Sequence, residues 1–320
     1  MGCVGVKGYQ LKVFSGRSNP ALGNSIISEL GIAPGEVEII DFSDAETFVQ
    51  INENIRGADV FAVQSLCQPG NANLMELLIM MDAFRRSSAQ RITAVIPYYA
   101  YARQDRKVQP RVPITAKLIA NLLVAAGADR VITMDLHAGQ IQGFFDIPVD
   151  HLYAGPIVMD YFRTREGVKD LTVISPDAGG VERARGYAKR LNAELGIIDK
   201  RRERANVSEV LNIIGEVKDR DVLIVDDIVD TAGTLTQGAK ALMDAGARRV
   251  FATCSHPVLS GPAIDRIKNS PIEELVVSDT IPLTEQGAAC SQIKVISVGT
   301  LLAEAIRRIH DDESVSSLFE

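Results

Sequence analysis

The sequence predicts an α/β fold with two tandem domains, each built on a mostly parallel sheet flanked by helices. Val- and Ile-rich runs such as 59–63, 91–96 and 130–134 alternate with segments of helical period. Runs that are apolar at nearly every position are typical of strands buried on both faces, as in parallel sheets. The second observation is that the two halves of the chain repeat this pattern.

The repeat aligns residues 59–83 with residues 221–245 without a gap. A shorter likeness links Glu29–Ile32 to Glu194–Ile197, both with the sequence ELGI. Chance likeness of two ordinary strand–helix–strand units is the alternative explanation. We interpret the halves as two copies of one α/β unit that divide near residue 150.

The expected domain bounds are 8–150 and 151–300, and the C-terminal segment 301–318 is predicted to be a helix that packs back on the first domain. A chain of 320 residues with 46% hydrophobic positions can bury two ordinary cores. The longest apolar stretch, 74–84, contains Glu76 and Asp82. It is therefore too short and too charged to span a bilayer, and we predict a core helix.

The charge and the cysteines narrow the class of protein. A formal net charge of −7 argues against a general binder of nucleic acid or of membrane surfaces, because both need a net basic field. Four scattered cysteines without a C-x-x-C pair fit reduced thiols. No export signal follows the first methionine, so we expect a cytoplasmic protein.

The strongest motif is an apolar strand, 222–225, that leads into two acids and a turn of small residues. Asp226 and Asp227 stand where ligands bind in open α/β sheets, and they can accept hydrogen bonds from sugar hydroxyls or hold Mg²⁺. A helix N-terminus with hydroxyl donors suits a monophosphate, although an ordinary helix cap is the alternative for Asp230. This predicted phosphate loop comprises Asp230, Thr231, Ala232, Gly233 and Thr234. The aligned residues of the first copy are 64–65 and 68–72, which lack the acids.

No G-x-x-x-x-G-K-[ST] sequence occurs, so a nucleotide would need another kind of site. The acid pair and loop resemble those of type I phosphoribosyltransferases and, more closely, of ribose-phosphate diphosphokinases of the phosphate-activated class. The second likeness rests on segments 73–78, 97–105, 133–146 and 303–308, and it covers about 11–319. The resemblance implies two phosphoribosyltransferase-like domains.

The resemblance also implies an activity: transfer of the diphosphoryl group of Mg-ATP to the anomeric hydroxyl of ribose 5-phosphate, giving 5-phospho-α-D-ribose 1-diphosphate and AMP. The product would serve nucleotide, histidine and tryptophan biosynthesis. Two alternatives remain open. A phosphoribosyltransferase would use the same acid loop but needs only one copy of the unit, and a non-catalytic regulatory subunit would have no need of the site residues.

Nucleotide contacts are implied from two subunits, and so is a homo-oligomer, expected to be a hexamer. Without the resemblance, Phe42 would be assigned to the core, and Asp44 and Glu46 to a solvated turn. Ala45 stands where the family usually has Gly, which predicts strain if that position needs a positive φ. The implied ATP residues are Phe42, Asp44 and Glu46 on one subunit and Arg103 and Gln104 on another.

His137 and Asp177 match the pair that helps to place Mg-ATP, and the resemblance assigns Mg²⁺ to them. A single His after a strand is more often a structural hydrogen-bonding residue. Gly179 and Gly180 are expected to leave amides open to phosphate oxygens. Lys200 and Arg202 match the cations of the family's mobile loop and would stabilise the transition state, although such a charged run is otherwise a solvated face.

A regulatory site for a phosphate activator and an ADP inhibitor is also implied by the resemblance. Its residues are Arg56, Ser314 and Ser316. One family Ser is Asn54 in this chain, which weakens the match. The alternative for the tail is a simple turn before the chain end.

Overall fold

The structure is a computed structural model that describes residues 8–201 and 210–318. The strands are β1 (Leu11–Ser15), β2 (Val37–Asp41), β3 (Thr47–Ile51), β4 (Asp59–Val63), β5 (Arg91–Ile96), β6 (Arg130–Met134), β7 (Val149–Leu152), β8 (Thr172–Ser175), β9 (Glu194–Arg201), β10 (Val210–Ile214), β11 (Asp221–Val229), β12 (Arg249–Pro257), β13 (Ile272–Ser278) and β14 (Ile293–Ile296). The helices are α1 (Pro20–Leu30), α2 (Gly70–Arg86), α3 (Thr115–Ala126), α4 (Gly155–Thr164), α5 (Val181–Leu191), α6 (Gly233–Asp244), α7 (Ala263–Lys268), α8 (Glu285–Ala288) and α9 (Gly299–His310).

Two compact units divide the described residues. The first unit contains 8–153, Thr280–Pro282 and 297–318, and the second contains Ala154–Asp279 and Leu283–Ile296. Among the helices described, none is long and apolar enough to cross a membrane.

The first unit has a five-stranded parallel sheet in the order β1-β4-β5-β6-β7. Every residue of β4, an interior strand of this sheet, is buried, which explains why its sequence is apolar without alternation. The antiparallel pair β2–β3 forms a separate, partly exposed hairpin.

The second unit has a seven-stranded sheet in the order β10-β9-β8-β11-β12-β13-β14, in which only the described pair β9–β10 is antiparallel. Side chains of β11 alternate between two cores. Val222 and Ile224 pack with residues of α6 and α7, whereas Leu223 and Val225 pack with residues of α4 and α5. The predicted fold class, α/β with two domains and mostly parallel sheets, is confirmed.

Equivalent strands of the two units begin with the same ion pair. In the first unit Arg91 Nε donates to Asp59 Oδ1 at 2.8 Å, and in the second Arg249 Nε donates to Asp221 Oδ1 at 3.1 Å. Each Arg is the sheet partner of its Asp across a parallel ladder. Both carboxylates are almost fully buried, so each depends on its Arg for compensation.

The C-terminal helix ends earlier than the sequence suggests. We predict a helix over 301–318, but α9 ends at His310, and a short 3₁₀ turn follows at Ser316–Leu318. Three successive acids, 311–313, lie at the negative end of the helix dipole, which disfavours its continuation. Helix α9 packs on α1, where Arg307 Nη2 donates to the carbonyl of Glu29 at 3.3 Å.

The predicted second domain, 151–300, is interrupted in the structure. Thr280–Pro282 and the chain from Ser297 belong to the first unit. Ser65 Oγ donates to the carbonyl of buried Thr280 at 2.5 Å, and this buried hydrogen bond helps to hold the returning segment. Sequence patterns within each strand carry no signal for such a return.

Candidate active site at the carboxyl end of β11

Asp226 and Asp227 lie at a point where the sheet opens on one side of β11. The neighbouring strand β8 pairs with β11 only as far as Ile224, whereas β12 pairs with it as far as Val229. The acids are therefore inside β11, and not at its end as the sequence suggests. We call the group formed by Asp226, Asp227, Arg183 and the loop 230–234 the second crevice.

The two carboxylates differ in environment. Burial, together with the nearby Asp227, raises the pKa of Asp226 to about 7. The amide of Asp227 donates to Asp226 Oδ1 at 2.9 Å. Asp227 instead accepts from Arg183 Nη1 of α5 at 3.0 Å, while the same nitrogen lies 4.0 Å from Asp226 Oδ1. The second crevice thus holds one charge-paired acid beside one that is costly to ionise.

The loop after β11 presents a helix N-terminus to this crevice. Ala232 is the N-cap residue of α6 in a left-handed conformation (φ 58°), and no described side chain caps the first turn. Two hydrogen bonds to backbone carbonyls hold the loop in place. Arg266 Nη1 donates to the carbonyl of Thr231 at 2.9 Å, and the amide of Ser260 donates to the carbonyl of Asp230 at 3.0 Å. Asp230 also accepts from the Ser260 hydroxyl. It is therefore not the helix cap that the simpler interpretation proposed.

Exposed hydroxyls complete the loop. Thr231 and Thr234 are exposed on either side of Gly233, and Ala232 is buried. A Cβ at Gly233 would lie 3.2 Å from Arg266 Nη1, so the site has little space for a larger residue. Uncapped amides with adjacent hydroxyls form the donor set that a monophosphate requires.

Asp177 follows β8 at the same end of the second sheet. Its Oδ1 accepts from the amides of Gly179 at 2.9 Å and Gly180 at 3.0 Å. The sequence predicts that these amides are open to phosphate, but here the carboxylate engages them at the start of α5. A bound anion would have to replace Asp177 as their acceptor.

The predicted purine contacts lie on the hairpin of the first unit. Phe42 is 51% exposed, so it is not the core residue that would be expected without the family resemblance. Asp44 Oδ1 accepts from the amide of Glu46 at 3.2 Å, which shapes the turn. Ala45 has a φ of 69°, as expected if the position favours Gly, so the turn carries backbone strain.

Arg103, Gln104 and His137 are exposed on loops of the first unit. The Thr115 hydroxyl donates to Gln104 Oε1 at 2.5 Å. His137 follows β6, and the preceding backbone is fixed by β7, because the amide of Asp135 donates to the carbonyl of Leu152 at 2.9 Å.

The predicted regulatory residues also belong to the first unit. Arg56 Nη1 donates to the Ser88 hydroxyl at 3.2 Å, and Asn54 Oδ1 accepts from the Arg56 amide at 3.1 Å. The hydroxyls of Ser314 and Ser316 are 3.1 Å apart, in a turn after α9. Ser88 is an additional hydroxyl that the sequence analysis does not include.

The predicted transition-state cations are only partly covered by the structure. The backbone of Lys200 lies in β9, and Arg202 lies outside the described residues. Within 8–201 and 210–318, no group of three or more His, Cys, Asp or Glu side chains is placed to hold a metal ion.

Comparisons with known proteins add sequence evidence to this geometry. Residues 11–127 match the family described as the N-terminal domain of ribose phosphate pyrophosphokinase, and residues 201–320 match a phosphoribosyl synthetase-associated domain. The ribose-phosphate pyrophosphokinase of Caldanaerobacter subterraneus subsp. tengcongensis is 59% identical over 97% of this chain and 98% of its own length. The Clostridium perfringens enzyme of that name is 58% identical over 97% of this chain and 98% of its own.

The chain belongs to the ribose-phosphate pyrophosphokinase family. The crystal structure of phosphoribosylpyrophosphate synthetase from Mycobacterium smegmatis agrees, with a TM-score of 0.90, 40% identity, and coverage of 94% of this chain and 99% of that one. The family is the one that the sequence resembles, since pyrophosphokinase and diphosphokinase name the same enzyme. That prediction is confirmed.

In the first unit, side chains fill the position that is equivalent to the second crevice. We call Arg17, Ser18, Gln64, Ser65 and Glu76, at the carboxyl end of β4, the first crevice. Glu76 accepts from the Arg17 amide and Nε, both at 2.7 Å, and from Gln64 Nε2 at 2.9 Å. Gln64 Oε1 in turn accepts from the Ser18 hydroxyl at 2.7 Å. A Cβ at Gly16 would collide with Gln64 and Glu76, so these two side chains pack closely against the backbone that follows β1.

Sequence analysis misses Arg183, the basic partner of the acid pair. It lies in the first turn of α5, among the charged residues that usually mark a solvated helix face. One signal was available: the helix follows Gly179–Gly180 directly, and its first turns must therefore face the same crevice as the glycines.

Proposed function

We propose that this pyrophosphokinase transfers the diphosphoryl group of ATP to the anomeric hydroxyl of ribose 5-phosphate, which gives 5-phospho-α-D-ribose 1-diphosphate and AMP. The observation that carries the proposal is the pairing, in one crevice, of two carboxylates with an uncapped helix N-terminus. The names of the related enzymes support the same substrates.

Ribose 5-phosphate matches the two ends of the second crevice. Its 5-phosphate would bind the amides and hydroxyls of the loop 230–234, where the dipole of α6 favours negative charge. Its ring hydroxyls would donate to Asp226 and Asp227, which accept strongly when ionised. The acids would repel a phosphate group placed on them, so the 5-phosphate stays at the loop. The sugar is therefore oriented with its reactive hydroxyl away from the loop.

ATP would bind chiefly through residues of the first unit. Phe42 offers an exposed ring for stacking on the purine, and the acids Asp44 and Glu46 can accept from its exocyclic amine. Arg103 and Gln104 of a neighbouring subunit would complete the site. This division is the reason for proposing a homo-oligomer, expected to be a hexamer.

Mg²⁺ would neutralise charge on the triphosphate and polarise the transferring phosphorus. Asp177 fits this ion because its carboxylate is exposed and carboxylate oxygens are ligands that Mg²⁺ prefers. His137 is the second residue expected at the metal, and its imidazole is better suited to a phosphate oxygen than to Mg²⁺, which prefers oxygen ligands.

Catalysis in this proposal is an in-line attack by the anomeric hydroxyl on the β-phosphorus, with AMP as the leaving group. Lys200 and Arg202 would stabilise the negative charge on the transferring group. Because they act mainly in the transition state, they should contribute to turnover more than to substrate binding.

Regulation and location extend the proposal. Arg56 with Ser314 and Ser316 would bind phosphate as an activator and ADP as an inhibitor, and the Arg56–Ser88 contact supports a hydroxyl-rich anion site. A cytoplasmic role in supplying the activated sugar for nucleotide, histidine and tryptophan biosynthesis is consistent with the composition of the chain.

The test is chromatography of nucleotides after incubation of the pure protein with ribose 5-phosphate, Mg-ATP and inorganic phosphate. Equal amounts of AMP and 5-phosphoribosyl diphosphate, formed only with the sugar, are expected. ADP would identify an ordinary kinase or ATPase instead, and no turnover would favour a regulatory subunit.

The Lys200→Ala variant sharpens the same assay. It should lower kcat at least 100-fold with the KM values changed less than fivefold, because a cation used in the transition state contributes several kcal/mol there. Equal losses in kcat and in substrate binding would contradict its role.

A further inference from the structure

His151 of β7 contacts the backbone that leads to His137. In the parallel pair of β6 and β7, Thr133 is opposite His151 and Met134 is opposite Leu152. Beyond that pair, the amide of Leu136 donates to His151 Nε2 at 2.8 Å. The ladder already pairs the amide of Asp135 with the carbonyl of Leu152, and the imidazole accepts from the next amide along the chain.

The bond fixes the tautomer of His151. Because Nε2 accepts from an amide, the neutral ring carries its proton on Nδ1. Two groups lie near Nδ1: Gln142 Nε2 at 3.2 Å and the Tyr153 hydroxyl at 3.3 Å. Gln142 Nε2 is an amide nitrogen, which only donates, and it donates to the carbonyl of Gly139 at 3.0 Å. The Tyr153 oxygen is therefore the acceptor for Nδ1–H.

The segment held by this bond has an unusual backbone. Asp135 has a φ of 39°, in the left-handed region that L-residues occupy at a cost. Asp135 and Leu136 are both buried, and their amides bond to Leu152 and His151 respectively. His137 comes next and is exposed. Consecutive hydrogen bonds to β7 therefore determine the direction in which the chain presents His137.

We propose that His151 is a positioning residue for the nucleotide site: its unprotonated Nε2 fixes the strand-end turn 135–136 and, through it, the place of the His137 side chain. This inference rests on the proposed role of His137 in binding Mg-ATP. His151 is buried and bonds to the Leu136 amide, so in this proposal it acts through the backbone.

The experiment compares three variants of the full-length enzyme with the wild type. His151→Leu keeps the volume of the side chain but removes the acceptor, whereas His151→Gln puts an amide oxygen close to the place of Nε2. His137→Ala tests the site directly. For each protein, kcat and the KM values for Mg-ATP and for ribose 5-phosphate are measured at saturating phosphate.

We expect His151→Leu to raise the KM for Mg-ATP about tenfold, since an orphaned buried amide forces the turn to rearrange. The KM for ribose 5-phosphate should stay within about twofold, because that substrate binds the other unit. His151→Gln should return the KM for Mg-ATP to within about threefold of the wild-type value.

A matched control separates positioning from general instability. His310→Leu removes another buried histidine of the same unit, whose Nδ1 lies 2.8 Å from Asp59 Oδ2 at the opposite end of the sheet. It should lower the melting temperature without changing the ratio of the two KM values. If His151→Leu and His310→Leu behave alike, or if Gln fails to rescue, His151 has only a structural role.

The outcomes also distinguish this inference from the proposed function. A raised KM for Mg-ATP in His137→Ala with no change in His151→Leu would overturn the positioning role and leave the nucleotide site intact. An unchanged KM in His137→Ala would overturn the proposed role of His137, and the inference with it.

Discussion

The first and second crevices occupy equivalent places in the two units, at the carboxyl ends of β4 and β11. In the first, Glu76 and Gln64 satisfy Arg17 and Ser18, so the polar groups close on one another. In the second, Arg183 bonds one acid at 3.0 Å, and the other acid has a raised pKa. One copy of the scaffold pairs its polar groups with one another, and the other keeps groups that a ligand can satisfy.

The contrast extends to the turn after each strand. Ala232 adopts a left-handed conformation at the start of α6, whereas the aligned residue of the first unit is Gly70, the first residue of α2. The second crevice thus contains both a strained backbone, at Ala232, and an acid whose ionised form is disfavoured, Asp226. Both features are common at functional sites. The difference can be tested from both sides.

The largest effect is expected from Asp227→Asn. It removes an ionised acceptor for a sugar hydroxyl and the partner of Arg183, and it should lower kcat/KM for ribose 5-phosphate about 100-fold. The aligned change in the first crevice, Ser65→Ala, should leave kcat/KM within about twofold. Comparable losses in initial-rate assays of both variants would mean that the crevices do not differ in function.

Glu76→Leu should act on stability. Glu76 is almost fully buried and accepts three hydrogen bonds, so its loss removes the acceptor of the Arg17 amide and Nε and one of the acceptors of Gln64 Nε2. We expect a loss of about 2 kcal/mol, less than for a fully buried pair because Arg17 is half-exposed. Urea unfolding followed by circular dichroism measures it.

Asp82→Ala is the matched control for Glu76→Leu. It removes an exposed carboxylate of the same helix, whose pair with Arg86 is solvated. The change in unfolding free energy should stay below about 0.5 kcal/mol. If Glu76→Leu costs no more than this, the first crevice is not a stabilising network.

The pH dependence of folding stability should also distinguish the two crevices. The pKa of Asp226 is raised to about 7, so the folded chain holds this proton more tightly than the unfolded chain. The associated stability is present below the ordinary pKa near 4 and is lost as pH rises towards 7. Wild type should therefore gain roughly 2 to 3 kcal/mol over Asp226→Asn between pH 8 and pH 5, as measured by melting temperatures.

The aligned residue of the first crevice supplies the comparison for that pH series. Gln64 does not titrate, so Gln64→Leu should lower the melting temperature by the same amount at both values of pH. A pH-dependent difference in this variant, or none in Asp226→Asn, would contradict the assignment of the titrating group to Asp226.

The smallest effect is expected from Ala232→Gly. Removing the Cβ relieves the cost of a left-handed φ, about 1 kcal/mol at most, since Gly also loses more entropy on folding. The melting temperature should rise by a few degrees or less, and the KM for ribose 5-phosphate should change less than twofold. A fall in melting temperature would show that the turn is not strained.

Local patterns were sufficient for the fold class and for the acid pair. The apolar runs predicted parallel strands because β4 and β11 are covered on both faces. The strand-to-loop sequence put Asp226 and Asp227 on the right strand, but at its end, whereas they lie within β11. Ala45 has the positive φ for which the sequence analysis expected strain.

Long-range contacts account for what the sequence did not reveal. Arg183 is 44 residues from Asp227 along the chain, and Glu76 is 59 residues from Arg17. The bond between His151 and Leu136 depends on the register of β6 and β7. Such pairings are set by the packing of whole elements, and single-residue patterns do not encode them.

The return of Thr280–Pro282 and α9 to the first unit bears on the order in which the protein matures. During synthesis the second unit is complete once Ile296 has emerged, but the first unit still lacks the helix that covers α1. The domain that the ribosome begins first is thus finished last. A prematurely terminated chain would leave its N-terminal half defective, and quality control would meet the exposed α1 surface there.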